Sequence, residues 1–159
     1  MVGEGMINNG KRFEENFKKS VPPDVFYYRF KDGTSSWDGG DLTRFQASNI
    51  CDCMLYTKNR LFLLELKNHK GKSIPFSCIR QNQLTELVKA HKFNIISGFI
   101  FNFQDIEETY FVHSNLVNEY IESQERKSFP YMWCEEVGIR IRGKKLKTNY
   151  RYDLAELLA

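Results

Sequence analysis

The sequence has no apolar run long enough to span a membrane, and its first residues, Met1–Asn9, have no hydrophobic stretch of the kind found in signal peptides. We therefore expect a cytosolic protein with no membrane partner. Internal repeats, low-complexity tracts and an obvious linker are also missing, which argues against repeat architectures and tethered domains. With 159 residues, 42% of them hydrophobic and 14% aromatic, the chain is predicted to form a single domain over residues 1–159.

Cysteine is scarce, and the four cysteines, Cys51, Cys53, Cys78 and Cys134, include no CxxC pair. A structural zinc site therefore has little support. In the cytosol the thiols are expected to stay reduced and to serve as small buried or half-buried residues. Cys51 and Cys53, with one residue between them, are predicted to lie on one side of a strand.

Hydrophobic spacing predicts alternating helices and strands. Phe13 and Phe17 lie four positions apart and indicate a helix over about Asn9–Ser20, which Pro22 ends. Ser77 is a candidate N-cap for a second helix. The predicted helices are 9–20, 78–91, 116–122 and 153–158, and the predicted strands are 25–30, 50–56, 61–67, 95–101, 109–113 and 137–141. The apolar row over 61–64 is typical of a central strand covered on both faces, so we predict a three-layer α/β domain.

A tight turn at Lys58–Asn59 would join two of these strands into a hairpin. The register that follows places Asp52 directly opposite Glu65, with Cβ atoms roughly 5 Å apart. Lys67, two residues beyond Glu65, would project on the same side.

Two carboxylates opposed across strands destabilise a hairpin, and burial increases the cost. A divalent cation resolves the conflict, because hard cations take carboxylate oxygens as ligands. Asp52, Glu65 and the Leu66 carbonyl oxygen are therefore predicted to hold Mg²⁺ or Mn²⁺, while Lys67 orients water or stabilises charge on a phosphate. The alternative is that Glu65 and Lys67 are solvated at the end of a strand.

These residues match the PD-(D/E)XK nuclease pattern, in which an acidic residue precedes a hairpin and a Glu-x-Lys motif. The Glu65-Leu66-Lys67-Asn68 run, Ser73-Ile74-Pro75-Phe76 and Asn82-Gln83-Leu84 together resemble the RecU family of Holliday junction resolvases. That resemblance implies a restriction-endonuclease-like fold, with a central mixed β-sheet flanked by helices. It also implies a metal-dependent endonuclease for branched DNA that acts as a homodimer in recombination and repair. Phage or prophage origin, in a bacterial host cell, is the implied source.

The resemblance also assigns site residues outside the hairpin. Gly10-Lys11-Arg12-Phe13-Glu14 is similar to the family's first helix, in which a glutamate faces the active site. Glu14 is therefore expected to help hold the metal or its waters, with Glu15 as the alternative. Gln83 lies on an apolar helix face and is expected near the metal; a hydrogen bond to neighbouring backbone is the alternative.

Departures from the family pattern concern the substrate more than the chemistry. Cys51 stands where the superfamily often has proline, and Asn82 replaces the family's histidine. The Gly-, Ser- and Asp-rich segment 31–41 is predicted to be a flexible loop. The stalk that enters the junction in that family could be formed here only by residues 31–49, which is a short segment for it. A nuclease of the same fold for other DNA, or a DNA-binding module without activity, are the alternatives.

The net charge is only +3, but the basic residues are grouped. One group flanks the proposed site and a second follows the last predicted strand. Next to a nuclease site, such groups would contact phosphates without reading sequence, although a charge run is usually a solvated face. The predicted DNA-binding residues are Lys70, Lys72, Arg80, Arg142, Lys144, Lys145 and Lys147.

Overall fold

The computed structural model describes residues 8–31 and 49–159, in which a six-stranded mixed sheet has helices on both faces. The helices are α1 (Asn9–Ser20), α2 (Gln81–His91), α3 (Ser114–Ser123), α4 (Tyr131–Val137) and α5 (Ala155–Leu158). The strands are β1 (Phe26–Arg29), β2 (Cys53–Thr57), β3 (Arg60–His69), β4 (Ser73–Pro75), β5 (Ile96–Phe103), β6 (Glu108–His113), β7 (Ser128–Pro130), β8 (Ile139–Arg140), β9 (Arg142–Lys145) and β10 (Tyr150–Asp153). The large sheet has the order β1-β2-β3-β5-β6-β8, while β4 pairs with β7 and β9 with β10.

The first helix confirms the prediction for residues 9–20. The Asn8 side chain accepts hydrogen bonds from the backbone N–H groups of Gly10 and Lys11, at 3.1 and 3.2 Å, and so caps the helix. Phe13 and Phe17 are buried against the sheet. Their burial on one face is what holds so polar a helix in place.

The β2–β3 hairpin also confirms its prediction. Lys58 and Asn59 both have positive φ, 48° and 58°, as a two-residue turn matched to the twist of the strands requires. The register runs without a break from Thr57↔Arg60 to Cys53↔Leu64. The position of every β3 side chain relative to β2 is therefore fixed by this turn.

Strand β3 lies at the centre of the sheet, antiparallel to β2 and parallel to β5. Phe62, Leu64 and Leu66 pack with α1 on one face, and Leu63 packs with α2 on the other. This confirms the predicted central strand with both faces covered, and with it the three-layer architecture.

The second helix begins later than predicted, and Ser77 does not cap it. Phe76–Cys78 forms a 3₁₀ turn, after which Ile79 and Arg80 are extended. Helix α2 starts only at Gln81, and no side chain caps it. Because the predicted segment from 78 includes two extended residues, its first turn cannot be α-helical.

The C-terminal third differs most from the sequence prediction. The strand predicted over 137–141 is reduced to Ile139–Arg140, because α4 occupies the chain up to Val137. At Gly138 an added Cβ would lie 2.6 Å from the carbonyl oxygens of Cys134 and Phe111, so helix and strand meet here at a distance that only glycine allows. The β9–β10 hairpin and the β4–β7 pair were not predicted at all.

None of the helices in residues 8–31 and 49–159 is long and apolar enough to cross a membrane. The loop predicted over residues 31–41 lies almost wholly outside the described ranges, and so does the segment 31–49 compared with the junction-entering stalk.

Candidate active site

Asp52 lies just before β2 and faces the middle of β3. Its backbone N–H donates to the Leu64 carbonyl oxygen at 3.1 Å, and its carboxylate accepts from the Leu66 N–H at 2.7 Å. Burial, and then the nearby charge of Glu65, raise the pKa of Asp52 to about 7. The two carboxylates that the sequence paired are therefore close enough in space to repel each other.

Glu65 is 3% exposed in the middle of β3. One carboxylate oxygen forms a salt bridge with the Lys67 ammonium nitrogen at 2.9 Å. The two side chains can meet because residues two positions apart lie on the same face of a strand. The other oxygen, Oε2, is buried and has no hydrogen-bond partner within residues 8–31 and 49–159. The alternative in which both residues are solvated at a strand end is therefore wrong, because Glu65 is buried and Lys67 half-buried.

The ladder between β2 and β3 ends at Cys53, so Asp52 is not in a regular pair with Glu65. The chain bends there, and Cys51 and Cys53 pack into the clusters on opposite faces of the sheet. The prediction that both thiols lie on one side is wrong, because it assumed an unbroken strand. The bend lets the Asp52 carboxylate turn to the Leu66 N–H.

All four thiols are free, and three of them are buried, as expected for small core residues. Burial, with the charges of Glu65 and Asp52, raises the pKa of Cys51 to about 12 and holds the pKa of Cys53 well above its usual value. Both thiols next to the carboxylates therefore favour the protonated form, and their placement on opposite faces of the sheet argues against a zinc ion shared between them.

Glu14, rather than Glu15, faces the site. Its Oε2 accepts two hydrogen bonds from the Arg29 guanidinium, from Nε at 3.1 Å and from Nη2 at 2.7 Å. Its charge also contributes to the raised pKa of Asp52. Glu15 is exposed and pairs with Lys19 at 3.8 Å on the surface of the helix.

Arg29 was missed by the sequence analysis, although a lone cation in the aromatic segment 25–30 was a visible signal. It extends from β1 across to α1 and fixes the direction of the Glu14 carboxylate. Tyr27, on the same strand face, is half-buried, and burial together with neighbouring charges raises its pKa. Strand β1 therefore supplies one wall of the site.

Gln83 is 5% exposed on α2, on the side of the sheet that bears Glu65. Its amide nitrogen donates to the Asn49 carbonyl oxygen at 3.4 Å, while its Oε1 is buried without a partner. The backbone hydrogen bond that the sequence analysis gave as the alternative role of Gln83 is therefore present, but it uses only the nitrogen of the amide. Among the described residues this oxygen has no partner, so it is available to another group.

Within the part of the chain that the structure describes, no three or more His, Cys, Asp or Glu side chains form a group suited to a metal ion. The donors present are two carboxylates and backbone oxygens, with one carboxylate oxygen of Glu65 unpaired. Such an oxygen-only set fits Mg²⁺ or Mn²⁺, since Mg²⁺ usually keeps several waters and uses one or two carboxylates.

The predicted DNA-binding residues are all exposed and fall into two places. Lys70 and Lys72 follow the end of β3, and Arg80 precedes α2 by one residue. The other four, Arg142, Lys144, Lys145 and Lys147, belong to the β9–β10 hairpin, which packs beside α1. Of the three histidines, His91 and His113 contact each other, and His69 Nδ1 lies 2.6 Å from the Lys70 carbonyl oxygen.

The chain is similar to a prophage protein and, in its fold, to an archaeal protein of known structure. The SPbeta prophage-derived uncharacterized protein YotM of Bacillus subtilis (strain 168) is 38% identical in an alignment 172 residues long that covers 96% of this chain and 86% of that protein. The structure of Archaeoglobus fulgidus Hjc, a Holliday junction resolvase from an archaeal hyperthermophile, matches with a TM-score of 0.51 and 15% identity, over 82% of this chain and 95% of that one.

At 15% identity the second likeness concerns the fold, and it confirms the predicted restriction-endonuclease-like architecture. The first gives the chain a prophage relative, in agreement with the predicted phage or prophage origin. The family described as Recombination protein U matches residues 16–156, which include both carboxylates, the lysine and the basic hairpin. The chain therefore belongs to the RecU family.

Proposed function

We propose that this protein is a metal-dependent endodeoxyribonuclease that cuts branched DNA. The proposal rests on the buried Glu65, whose one carboxylate oxygen contacts Lys67 while the other has no partner among the described residues, and on the half-buried Asp52 beside it. Withdrawing two carboxylates from water costs free energy, and a fold that did not need them would avoid that cost. Membership of the RecU family and a fold shared with a Holliday junction resolvase make branched DNA the favoured substrate.

Asp52, Glu65 and the Leu66 carbonyl oxygen would hold Mg²⁺ or Mn²⁺. When bound, the cation would polarise a phosphate oxygen and make a water molecule more acidic. Lys67 supplies a fixed positive charge 2.9 Å from Glu65, where it can stabilise negative charge that develops on the phosphate. The unpaired oxygen of Gln83 can accept a hydrogen bond from the attacking water, and Glu14, directed by Arg29, adds negative charge near Asp52.

Two strands of a junction must be cut, and a two-fold dimer places two sites symmetrically. The exposed aromatic side chains of β1 and its neighbour support a homodimer: Phe26 is 56% exposed, Tyr28 44% and Tyr56 47%. Their aromatic faces form one patch, because Phe26 pairs with Tyr56 in the sheet. Light scattering after gel filtration should give the dimer mass, and Tyr28→Asp should shift it towards the monomer.

The substrate is tested with a labelled four-way junction, a duplex and a single strand, each with Mg²⁺, Mn²⁺ or EDTA. Symmetric nicks in the junction alone support the proposal. Equal cleavage of all three DNAs would indicate a nuclease for other structures, and binding without cleavage under either metal would indicate a binding module. Glu65→Ala should abolish cutting while DNA binding survives; cutting at the wild-type rate would overturn the site assignment.

Glu14 has a matched control in its neighbour. Glu14→Ala should slow cleavage, because Arg29 loses its carboxylate and the charge near Asp52 changes. Glu15→Ala removes an exposed carboxylate from the same helix and should leave the rate unchanged. Equal rates for the two variants would remove Glu14 from the site.

A further inference from the structure

A second polar cleft lies on the face of the sheet opposite Glu65 and Lys67. It has a volume of about 260 Å³ and is enclosed by α1, the ends of β3 and β5, and the β9–β10 hairpin. Its floor includes Asn68, the residue after Lys67, whose side chain points to the other face of the strand. The cleft is thus separate from the carboxylates but lies at the same end of β3.

The floor of the cleft is a polar row, called the amide row below, in which two asparagines and a threonine cross three neighbouring strands. Asn68 pairs with Asn102 between β3 and β5, and Asn102 pairs with Thr109 between β5 and β6. Their side chains form one directed chain: Thr109 donates to Asn102 at 2.8 Å, Asn102 to Asn68 at 2.6 Å, and Asn68 to Gln104 at 3.0 Å.

This chain fixes the amide orientations and leaves binding capacity. Each carboxamide has two N–H donors and two acceptor lone pairs, while the chain uses one donor and one acceptor of each asparagine. Hydrogen bonds in series also strengthen one another. Because Asn68, Asn102 and Gln104 line the cleft, a ligand there would meet both amide donors and amide acceptors, the groups with which asparagine and glutamine bind the edge of a nucleobase.

The walls of the cleft add positive charge and aromatic rings. Lys145, Lys147 and Arg12 line it, and the Arg12 guanidinium donates to the Thr148 carbonyl oxygen across the cleft mouth. The rings of Tyr150 and Tyr152 are stacked with centroids 6.0 Å apart. Tyr150 interacts with Glu107, and Tyr152 interacts with Thr109, so side-chain contacts join the hairpin to the sheet.

We propose that this cleft binds one unpaired nucleotide of a DNA strand, with the base against the amide row and the phosphate against the lysines of the hairpin. A volume of about 260 Å³ suits one nucleotide and excludes a duplex. Branched DNA supplies unpaired nucleotides where its strands part, so the inference rests on the proposed function for its choice of DNA. Binding in the cleft would place the branch point of the DNA near the C-terminal end of β3, close to Glu65 and Lys67.

The test compares two duplexes that differ at one bulged position, which is either an unpaired adenine or an abasic residue. Binding is measured by fluorescence anisotropy in EDTA, so no cleavage occurs. The wild-type protein should bind the adenine bulge about tenfold more tightly, an effect within the range of one good hydrogen-bonded pair between an amide and a base. Equal affinity for the two DNAs overturns the proposal.

Variants then test whether the preference for the adenine bulge over the abasic bulge, called the adenine preference, arises in the cleft. Gln104→Leu should remove most of it without weakening binding to abasic DNA, while Gln124→Leu, at an exposed glutamine outside the cleft, should preserve it. Lys145→Glu and Lys144→Glu make the same charge change on the two faces of one strand. Both should weaken DNA binding, but only Lys145→Glu should also reduce the adenine preference. Retention of the preference by both Gln104→Leu and Lys145→Glu would overturn the assignment.

Free nucleotide is the other source of the same chemistry. Titration calorimetry with dAMP should show binding far weaker than to the bulged DNA; comparable affinity would refute the DNA strand as ligand. Cleavage of the four-way junction with Mg²⁺ is measured separately. If the protein prefers the adenine bulge but does not cleave the junction, the proposed nuclease function is wrong and nucleotide binding in the cleft is supported. If it cleaves the junction but shows no preference for the adenine bulge, only the proposed nucleotide binding is wrong.

Discussion

Replacing Asp52 by asparagine should make the metal-free protein more stable at alkaline pH. Burial and the charge of Glu65 raise the pKa of Asp52 from 3.8 to about 7. The folded state therefore binds this proton more tightly than the unfolded state does. The resulting stabilisation is complete below about pH 4 and is lost as the pH rises through 7. At about 1.4 kcal/mol per pH unit, the full loss is about 4 kcal/mol.

Asparagine cannot ionise, and its amide oxygen can still accept the Leu66 N–H. The stability advantage of Asp52→Asn should grow by about 2 to 3 kcal/mol between pH 5 and pH 8, since the wild-type carboxyl loses its proton over that range. Urea denaturation in EDTA, followed by the fluorescence of the half-buried Trp133, measures the free energy of unfolding.

Asp24→Asn is the matched control, because Asp24 is exposed and its replacement should change stability little at any pH. Taking the difference between each variant and the wild-type protein cancels the titration of the groups that do not interact with the replaced residue. An Asp52→Asn variant that is no more stable than the wild-type protein at either pH would refute the conclusion that this carboxylate is destabilised by burial and by Glu65.

Three further outcomes are expected. Mg²⁺ or Mn²⁺ at about pH 8 should raise the melting temperature of the wild-type protein, since a cation relieves the repulsion between the carboxylates; no rise, or an equal rise in Asp52→Asn, would contradict the metal site. Gly98→Ala should cost more than 3 kcal/mol by urea denaturation, because the new Cβ would lie 2.2 Å from the Val112 carbonyl oxygen; a near-neutral effect would mean that β5 and β6 can separate there. Asn59→Gly should stabilise the hairpin turn by about 0.5 kcal/mol, since its φ of 58° suits glycine; destabilisation would show that the asparagine side chain stabilises the turn.

The hairpin illustrates what local sequence determines. The Lys58–Asn59 turn fixes its register, so the pairing could be counted from the sequence and proved correct as far as Cys53. The apolar run in β3 likewise required a central strand, because residues buried on both faces have no other place in a sheet. Both features depend on neighbours in the chain, which a pattern records directly.

The same local rules failed where the chain departs from regular geometry. Ser77 has the chemistry of a cap, but Ile79 and Arg80 are extended and delay α2. The bend at Asp52 separates Cys51 from Cys53 and turns the carboxylate towards Leu66. Neither departure is encoded in a spacing of residue types, because each depends on what packs around it.

The sequence by itself determined the acidic pair, the lysine beside it, the central strand and the family resemblance. Tertiary structure decided which glutamate of α1 faces the site, that Arg29 directs it, and that Glu65 is buried with an unpaired oxygen. It also brought Asn68, Asn102 and Thr109 into one hydrogen-bonded row. The physical reason is distance along the chain: these contacts join residues from separate elements, and they form only once the sheet has aligned its strands.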